Sequence, residues 1–452
     1  MGTRLKHYRI SLLAVFLFAP VALAAQSLNP APDFQALGRA FVMDLASRQF
    51  TKAAASFTPQ VAAALSSDKL GQIWDQLLAQ EGAFGQVSSV SVAEQGAYHV
   101  VTVTCNFAKG MLNIVVTFDA QGHVAGLHFT PAAQWTSPSY ANPSAFHESA
   151  ITVSDGQWQL PGTLALPNGK SPFPAVVLVA GSGPEDEDET IGSNKPFKDL
   201  AWGLASRGIA VLRYTKRTKQ YGVKSSADPD TFTVKDEYID DARAAVALLA
   251  SNPEIEPKRI LLAGHSEGGY LAPRIAAGDP RITGIAILEG NTRPIEKLIL
   301  DQLHYEASLG GPNAAQIEKM IPGAEKAAAQ MESPDLKPGT TVNIIGASLP
   351  ASYILDLRGY DPAAVAAGLK IPILIVQGSR DYQVTSADYS GWQKALAGHA
   401  NATFKLFPDI NHLMISGAGP SSPQEYMEPN KNVAAEVVDA IASWVNSSSP
   451  KP

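Results

Sequence analysis

Two hydrophobic periods organise the first part of the chain. Between residues 33 and 80 apolar positions recur every three or four residues. FQALGRAFVMDLASRQF places Phe34, Leu37, Phe41 and Leu45 on one face, and KLGQIWDQLLAQEG does the same with Leu70, Ile73, Leu77 and Leu78. That spacing predicts helices, each burying one side. From Val87 to Thr130 the period falls to two, in QVSSVSVAE, AYHVVTVTCNF, MLNIVVTFD and VAGLHFTP, with turns at Gln95-Gly96, Lys109-Gly110 and Gln121-Gly122. Helices followed by an antiparallel meander predict a small α+β domain over residues 27–131. Its histidines, His99, His123 and His128, are scattered and suit strand faces or surface positions better than a site.

A stretch rich in Pro, Ser and Asn, PAAQWTSPSYANPSAFHE, has the composition of a linker, and residues 132–146 are read as one. Beyond it the pattern alternates across residues 147–447. After a hairpin-like AITVSDGQWQLPGTLALP, the strands PAVVLVAGSG, IAVLRYTKR, RILLAGHS and ITGIAILEG are separated by the amphipathic helices PFKDLAWGLASRG, YIDDARAAVALLASNP and EGGYLAPRIAAG. Near-continuous apolar strands between helices predict a parallel sheet covered on both faces. Residues 291–369 break the rhythm with helical and Gly/Pro-interrupted segments, and IPILIVQGSRD, YSGWQKALAG, ATFKLFPDINH and VAAEVVDAIASWV restore it. An insertion after a strand of an open sheet predicts a helical cap over the strands' carboxyl ends, where ligands bind in such sheets.

Composition narrows the partners. The 452 residues are too many for one ordinary domain and suit two, with a wide spread around roughly 150 residues each. A charged fraction of 17% with net charge −7 offers no basic face to a nucleic-acid backbone, so nucleic acid is not an expected partner. Arg4, Lys6 and Arg9 precede ISLLAVFLFAPVALA, which ends in Ala22-Leu23-Ala24 with Ala25-Gln26 beyond. That order predicts a secretory signal peptide over residues 1–25, cleaved after Ala24 or Ala25, and a periplasmic or secreted protein with no stable membrane insertion. Cys105, the single cysteine, leaves no internal disulfide, and its place in an alternating strand predicts a buried, inert thiol.

The candidate chemistry lies in RILLAGHSEGGYLAP. Gly264-His265-Ser266-Glu267-Gly268 fits the Gly-x-Ser-x-Gly elbow and sits where it must, after a buried strand and before a helix. A serine hydroxyl is a weak nucleophile and needs an adjacent base oriented by a carboxylate. Among the histidines, His412 in FKLFPDINHLM falls after the last strand, the position expected of the base; His304 lies in the insertion and His399 at a helix end. For the acid, Asp381 in ILIVQGSRDYQV leads, Glu289 is a substitute, and Asp409 is read as a brace for the His412 loop. The tetrahedral intermediate needs two backbone N–H donors. One is assigned to Glu267, after the serine, and the other to Ser182 in VLVAGSGPEDEDETIG, with Gly183 next. Glu185-Asp186-Glu187-Asp188-Glu189 beside that loop is read as solvated, with Arg213, Lys216 and Arg217 as sources of counter-charge. No His/Cys cluster implies a metal, and no cofactor is expected.

On these motifs, residues 147–447 resemble an α/β-hydrolase of the esterase/dienelactone-hydrolase type with a cap. GSGPEDEDETIGSNKPFKDLAWGLASRGIAVLRYTKR and the GHSEGG elbow resemble exported bacterial hydrolases with a small cystatin- or NTF2-like N-terminal domain. The resemblance implies carboxylesterase activity on short acyl esters, with Ser266, Asp381 and His412 as the triad. One departure stands out. Such families often carry His-Gly at the oxyanion loop, whereas Ala180 precedes Gly181 here, so the side chain that usually braces the loop is missing. A peptidase, thioesterase or acyltransferase would use the same residues, and a binding protein on a hydrolase scaffold would keep the fold without the chemistry.

Overall fold

The computed structural model describes residues 32–448 except 96, 133–134, 227, 229 and 312–313. The expected signal peptide lies outside the described residues. The chain divides into two compact units, Met1–Ala132 and Ala133–Pro452.

In the first unit the helical region is four helices: α1 (Phe34–Ala46), α2 (Phe50–Ala54), α3 (Pro59–Ala64) and α4 (Ser67–Glu81). Side-chain caps start three of them, with Asp33, Thr58 and Ser66 each accepting a backbone N–H from the first turn. The buried face of α4 centres on Trp74, flanked by Leu70 and Leu77, a line that the aliphatic pattern alone did not bring out. Strands β1 (Phe84–Gln95), β2 (Tyr98–Phe107), β3 (Gly110–Phe118) and β4 (Val124–Pro131) form an antiparallel sheet in that order. Alternate residues of β2 and β3, from Val101 to Phe118, are buried against the helices, as period two requires. Cys105 is among them, and burial raises its thiol pKa to about 11, which leaves it inert.

In the second unit, residues 135–146 lie on the α/β core. Trp135 Nε1 donates to the buried Asp199 at 2.7 Å, and Asn142 N–H donates to Ser206 Oγ at 2.8 Å. A stretch polar in composition is ordered here by the partners it finds. The hairpin β5 (Phe146–Asp155) and β6 (Trp158–Pro167) leads into β7 (Phe173–Val179), α5 (Pro196–Ala205), β8 (Ala210–Tyr214), α6 (Arg217–Tyr221) and α7 (Asp241–Ser251). Then come β9 (Ile255–His265), α8 (Glu267–Ala277) and β10 (Ile282–Leu288). After the insertion the chain adds β13 (Ile373–Gly378), α13 (Ser386–Ala395), β14 (Ala402–Phe407) and α14 (Ala435–Ser447).

Among the described residues the main sheet has eight strands in the order β14-β13-β10-β9-β7-β8-β6-β5. All neighbours are parallel except β6, which runs antiparallel to both β5 and β8. Apolar clusters cover both faces, Val177, Leu262 and Ile287 pointing into one and Val176, Leu261 and Leu288 into the other. This two-sided burial is why the strands read as unbroken apolar runs.

The insertion contains α9 (Ile295–Ser308), α10 (Ala314–Glu332), a hairpin of β11 (Thr341–Ile344) and β12 (Ala347–Pro350), and α11 (Ala351–Leu357). These elements bury a core of their own, including Ile299, Leu303, Ala327, Met331, Ile344 and Ile354. The next helix, α12 (Pro362–Gly368), belongs instead to the layer over the sheet, packing on α8 with Ala366 in the main core. Arg293 and Thr292 tie the start of the insertion to the fully buried Asp388 of α13.

Glycines set the closest approach in the fold. A Cβ on Gly264 would stand 2.2 Å from Gly268 O, and one on Gly268 would stand 2.3 Å from Val179 O. Backbone atoms cannot yield as a side-chain tip does, so Gly264→Ala should cost on the order of 3 kcal/mol, the upper end of what overpacking costs. The check is a denaturant melt of purified protein, with a stability equal to wild type contradicting the expectation.

Candidate active site

The elbow is built by that close approach. Ser266 joins β9 to α8 with φ +52° and ψ −119°, a strained conformation for a residue with a side chain. Its N–H donates to Leu288 O at 2.9 Å on the neighbouring strand, and its carbonyl accepts from Tyr270 N–H at 2.9 Å as α8 begins. Glu267 is the first residue of α8, so its N–H is one of the amides that have no acceptor within the helix.

Asp381 and His412 meet as the chain order predicts. His412 Nδ1 lies 2.7 Å from Asp381 Oδ2, and both residues are buried. The other carboxylate oxygen accepts Gln383 N–H at 2.8 Å and Val384 N–H at 3.0 Å, which fixes the acid in its loop. With Nδ1–H donated to the carboxylate, Nε2 is left as the basic nitrogen. The His412 loop is held by the buried Asn411, whose side-chain oxygen accepts Leu413 N–H at 3.0 Å and Ile415 N–H at 3.1 Å. Gly378, where the acid loop begins, permits the two loops to touch, because a Cβ there would stand 2.3 Å from Ile410 O.

Neither alternative acid reaches His412. Glu289 lies behind Asp381, accepting Gly378 N–H at 2.9 Å and Gln377 Nε2 at 2.7 Å. Burial, followed by the neighbouring Asp381 charge, pushes its carboxyl pKa well above the ordinary value, which favours its neutral form. Asp409 braces the loop through its main chain, its carbonyl accepting Gly417 N–H at 2.8 Å.

The loop carrying Ser182 crosses directly over the serine. A Cβ on Gly181 would lie 3.1 Å from the Ser266 Cβ. The Gly181 peptide is gripped on both sides. Glu189 Oε1 accepts its N–H at 2.5 Å, while its carbonyl accepts from Lys216 Nζ at 2.9 Å and from Tyr238 OH at 2.7 Å. Glu189 already occupies the Gly181 amide, so the amides that follow it, of Ser182 and then Gly183, are the ones left to serve as donors from this loop.

The acidic run departs from the solvated reading. Asp188 and Glu189 are buried. Asp188 accepts Arg213 Nε and Lys195 Nζ, both at 2.7 Å, and Glu187 accepts Thr163 Oγ1 at 3.0 Å. Burial pushes Glu185 up to about 7. The reason is the buried arginine on β8, whose charge requires desolvated carboxylate partners, so the run folds inward. Arg217 has other partners, Asp241 and Asp155.

A cavity of about 910 Å³ opens above Ser266, with Ser182 and Glu267 on its floor and Ile299, Ile344 and Ile354 of the insertion on its roof. Among the described residues no three His, Cys, Asp or Glu side chains are grouped to hold a metal ion, and no helix is long and apolar enough to cross a membrane.

Residues 176–428 match the model of the family described as "Alpha/beta hydrolase family", more than half of the chain. The chain belongs to the α/β-hydrolase family. Residues 39–127 of this hydrolase separately match "Protein of unknown function (DUF3887)", so the small N-terminal domain is a family of its own. Esterase EstD of Thermotoga maritima is 42% identical over 407 residues, 90% of this chain and 93% of that protein. Among solved structures, Est1E from Butyrivibrio proteoclasticus is 17% identical with TM-score 0.43, covering 66% of this hydrolase and 98% of that chain. A Mycobacterium tuberculosis puromycin-hydrolyzing peptidase is also 17% identical with TM-score 0.42, covering 80% and 49%.

The sequence assigned Glu267 only a backbone role and did not single out Tyr238 or Tyr353. The Glu267 side chain is buried, with Tyr353 OH 3.1 Å from Oε1 and Tyr238 OH 3.0 Å from Oε2, so a tyrosine of the insertion is fastened to the elbow. Lys216 and Glu189 were visible only as charges close to the oxyanion loop in sequence. Their signal was a lysine ending an apolar strand and an acidic run directly after a glycine turn.

Because burial beneath Asp381 favours the neutral form of Glu289, Glu289→Gln should keep kcat for an aryl ester within a few-fold of wild type. The pH dependence gives a second check. A carboxyl with a raised folded pKa contributes its full stability below its unfolded value, near 4.3, and loses it as pH rises toward the folded value. The melting temperature of Glu289→Gln should therefore gain on wild type as pH is raised through that window. A constant difference across pH would show that Glu289 is charged in the fold.

Proposed function

We propose that this hydrolase is an exported serine carboxylesterase that cleaves short-chain acyl esters through a covalent acyl-enzyme. The observation that carries the reading is the 2.7 Å contact between His412 Nδ1 and Asp381 Oδ2, in a protein whose elbow presents Ser266 to a cavity. The full-length relationship to an esterase supports the ester as the bond attacked.

In this mechanism His412 Nε2 takes the Ser266 hydroxyl proton as Oγ bonds to the acyl carbon. The carbonyl electron pair moves to oxygen, and the resulting oxyanion accepts hydrogen bonds from Glu267 N–H and Ser182 N–H. Collapse expels the alcohol, which takes the proton back from His412. Water then attacks the acyl-enzyme by the same route, His412 removing its proton, and release of the carboxylic acid restores Ser266. Asp381 keeps the imidazole in the productive tautomer and balances its charge while it is protonated. No cofactor enters these steps.

Export rests on residues 1–25, with their basic start, apolar run and small-residue end. The elements of the insertion roof the cavity with aliphatic side chains, which suits a small apolar acyl or alcohol group.

The test is labelling with a fluorophosphonate and mass spectrometry of the adduct, followed by a chain-length series of aryl esters beside aminoacyl arylamides and acyl thioesters. We expect one adduct, on Ser266, and the highest kcat/KM on short acyl esters. Asp381→Asn should lower kcat by about 10⁴. Absence of label on folded wild-type protein would sink the serine-hydrolase reading in favour of a binding role, and cleavage confined to arylamides would replace the esterase with a peptidase. In the same preparation, an amino terminus that begins near Gln26 in the extracytoplasmic fraction is expected, and an uncleaved cytoplasmic chain would overturn export.

A further inference from the structure

The missing oxyanion-loop histidine leaves a mechanical question, namely what holds Gly181 and Ser182 over the serine. The answer lies in two residues outside the triad. Glu189, at φ +51° and 4% exposed, places one carboxylate against two donors. Its Oε1 accepts Gly181 N–H at 2.5 Å, and His265 Nδ1 lies 3.1 Å from Oε1 and 3.0 Å from Oε2. The opposite ring nitrogen, His265 Nε2, lies 2.8 Å from the main-chain carbonyl of His412. A carbonyl oxygen only accepts, so Nε2 carries a proton, and the carboxylate beside Nδ1 favours a second one there.

The surroundings fit a charged ring. His265 is 4% exposed, with the Phe197 ring on one side and the His412 ring, 4.8 Å away between centroids, on another. Glu189 and, farther off, Asp381 are the charged groups acting on it. Burial opposes a positive charge, but the Glu189 carboxylate and the hydrogen bonds outweigh it and raise the ring's pKa.

We propose that Glu189 and His265 form a buried carboxylate–imidazolium pair that ties the oxyanion loop, the elbow and the His412 loop into one rigid unit. Both are positioning residues. Neither touches the acyl group; Glu189 acts through Gly181 on the Ser182 amide, and His265 acts on the main chain that carries the base. The pair takes over the bracing that an oxyanion-loop histidine would provide, which is why Ala180 is tolerated. The inference rests on the serine-hydrolase reading for its catalytic consequence, while the charge state of the pair can be read without activity.

The experiment compares wild type, Glu189→Ala and Glu189→Gln in the full-length hydrolase. Kinetics on a short-chain aryl ester are paired with nitrogen-15 histidine NMR at neutral pH, in which His265→Asn assigns the ring signals. In Glu189→Ala the loop loses its anchor, and kcat should fall on the order of 10- to 100-fold with KM within about threefold, because a donor displaced by a fraction of an ångström stabilises the transition state less. Glutamine can accept Gly181 N–H and donate to an unprotonated Nδ1, so Glu189→Gln should recover most of kcat. Wild-type His265 should show two protonated ring nitrogens, and Glu189→Gln only one. An unchanged kcat in Glu189→Ala, a loss confined to KM, or a wild-type ring with a bare nitrogen would overturn the proposal. Should Glu189→Ala not fold, the glutamine variant and the ring signals decide it. A wild type with the imidazolium signature but no ester hydrolysis would instead overturn the hydrolase reading and leave the ion pair standing.

Discussion

The site depends on one steric constraint, the backbone contact among β7, β9 and α8 beneath Ser266. With Gly264 and Gly268 free of side chains, the helix starts directly off the strand end and its first amide faces the same space as the serine. The strain at Ser266, φ +52°, is held by main-chain hydrogen bonds to Leu288 and Tyr270 on either side of the turn. Without that contact the hydroxyl would fall back into the loop, and the Gly181 peptide would have no surface to lie against. The same requirement recurs at Gly378, where the acid and base loops touch.

Buried charge is the second theme. Arg213, Lys216 and Arg217 are each nearly inaccessible, and each lies against desolvated carboxylates or carbonyls. Removing one member of such a group strands the other, at a typical cost of about 3–5 kcal/mol, whereas an apolar replacement of the whole group is often tolerated. Stability is therefore a weak reason for so many ions beneath one loop. Arg213 holds the acidic run through Asp188 and Lys216 holds the Gly181 carbonyl, whereas Arg217 pairs with Asp241 and Asp155 instead.

The insertion carries a core of its own. Its own cluster around Ile299 and Ile354 lets it form a roof without disturbing the sheet, while Tyr353 on Glu267 and Arg293 on Asp388 fasten it at the elbow and at α13. The insertion thus supplies part of the cavity lining, and the loops at the strand ends supply the rest.

The strand–helix alternation, the elbow at Ser266 and the order Ser266, Asp381, His412 were legible in the sequence because they are local: period, glycine spacing and position after a strand need no knowledge of distant contacts. Other features were not. Asp381 leads in the sequence and Glu289, after the neighbouring strand, stands as its substitute; the fold sets Asp381 against His412 and buries Glu289 behind it. The Glu185–Glu189 run reads as solvated because five carboxylates in a row carry no local sign of Arg213 and His265 waiting in the interior. Residues 135–146 look like a linker until Asp199 and Ser206 supply hydrogen-bond partners. Sequence determined the order of the elements and the chemical types at their ends, since these follow from short-range sterics and hydrophobic period. Tertiary structure alone decided which charges are buried and which partners they meet, because burial and pairing depend on groups brought together from far apart in the chain.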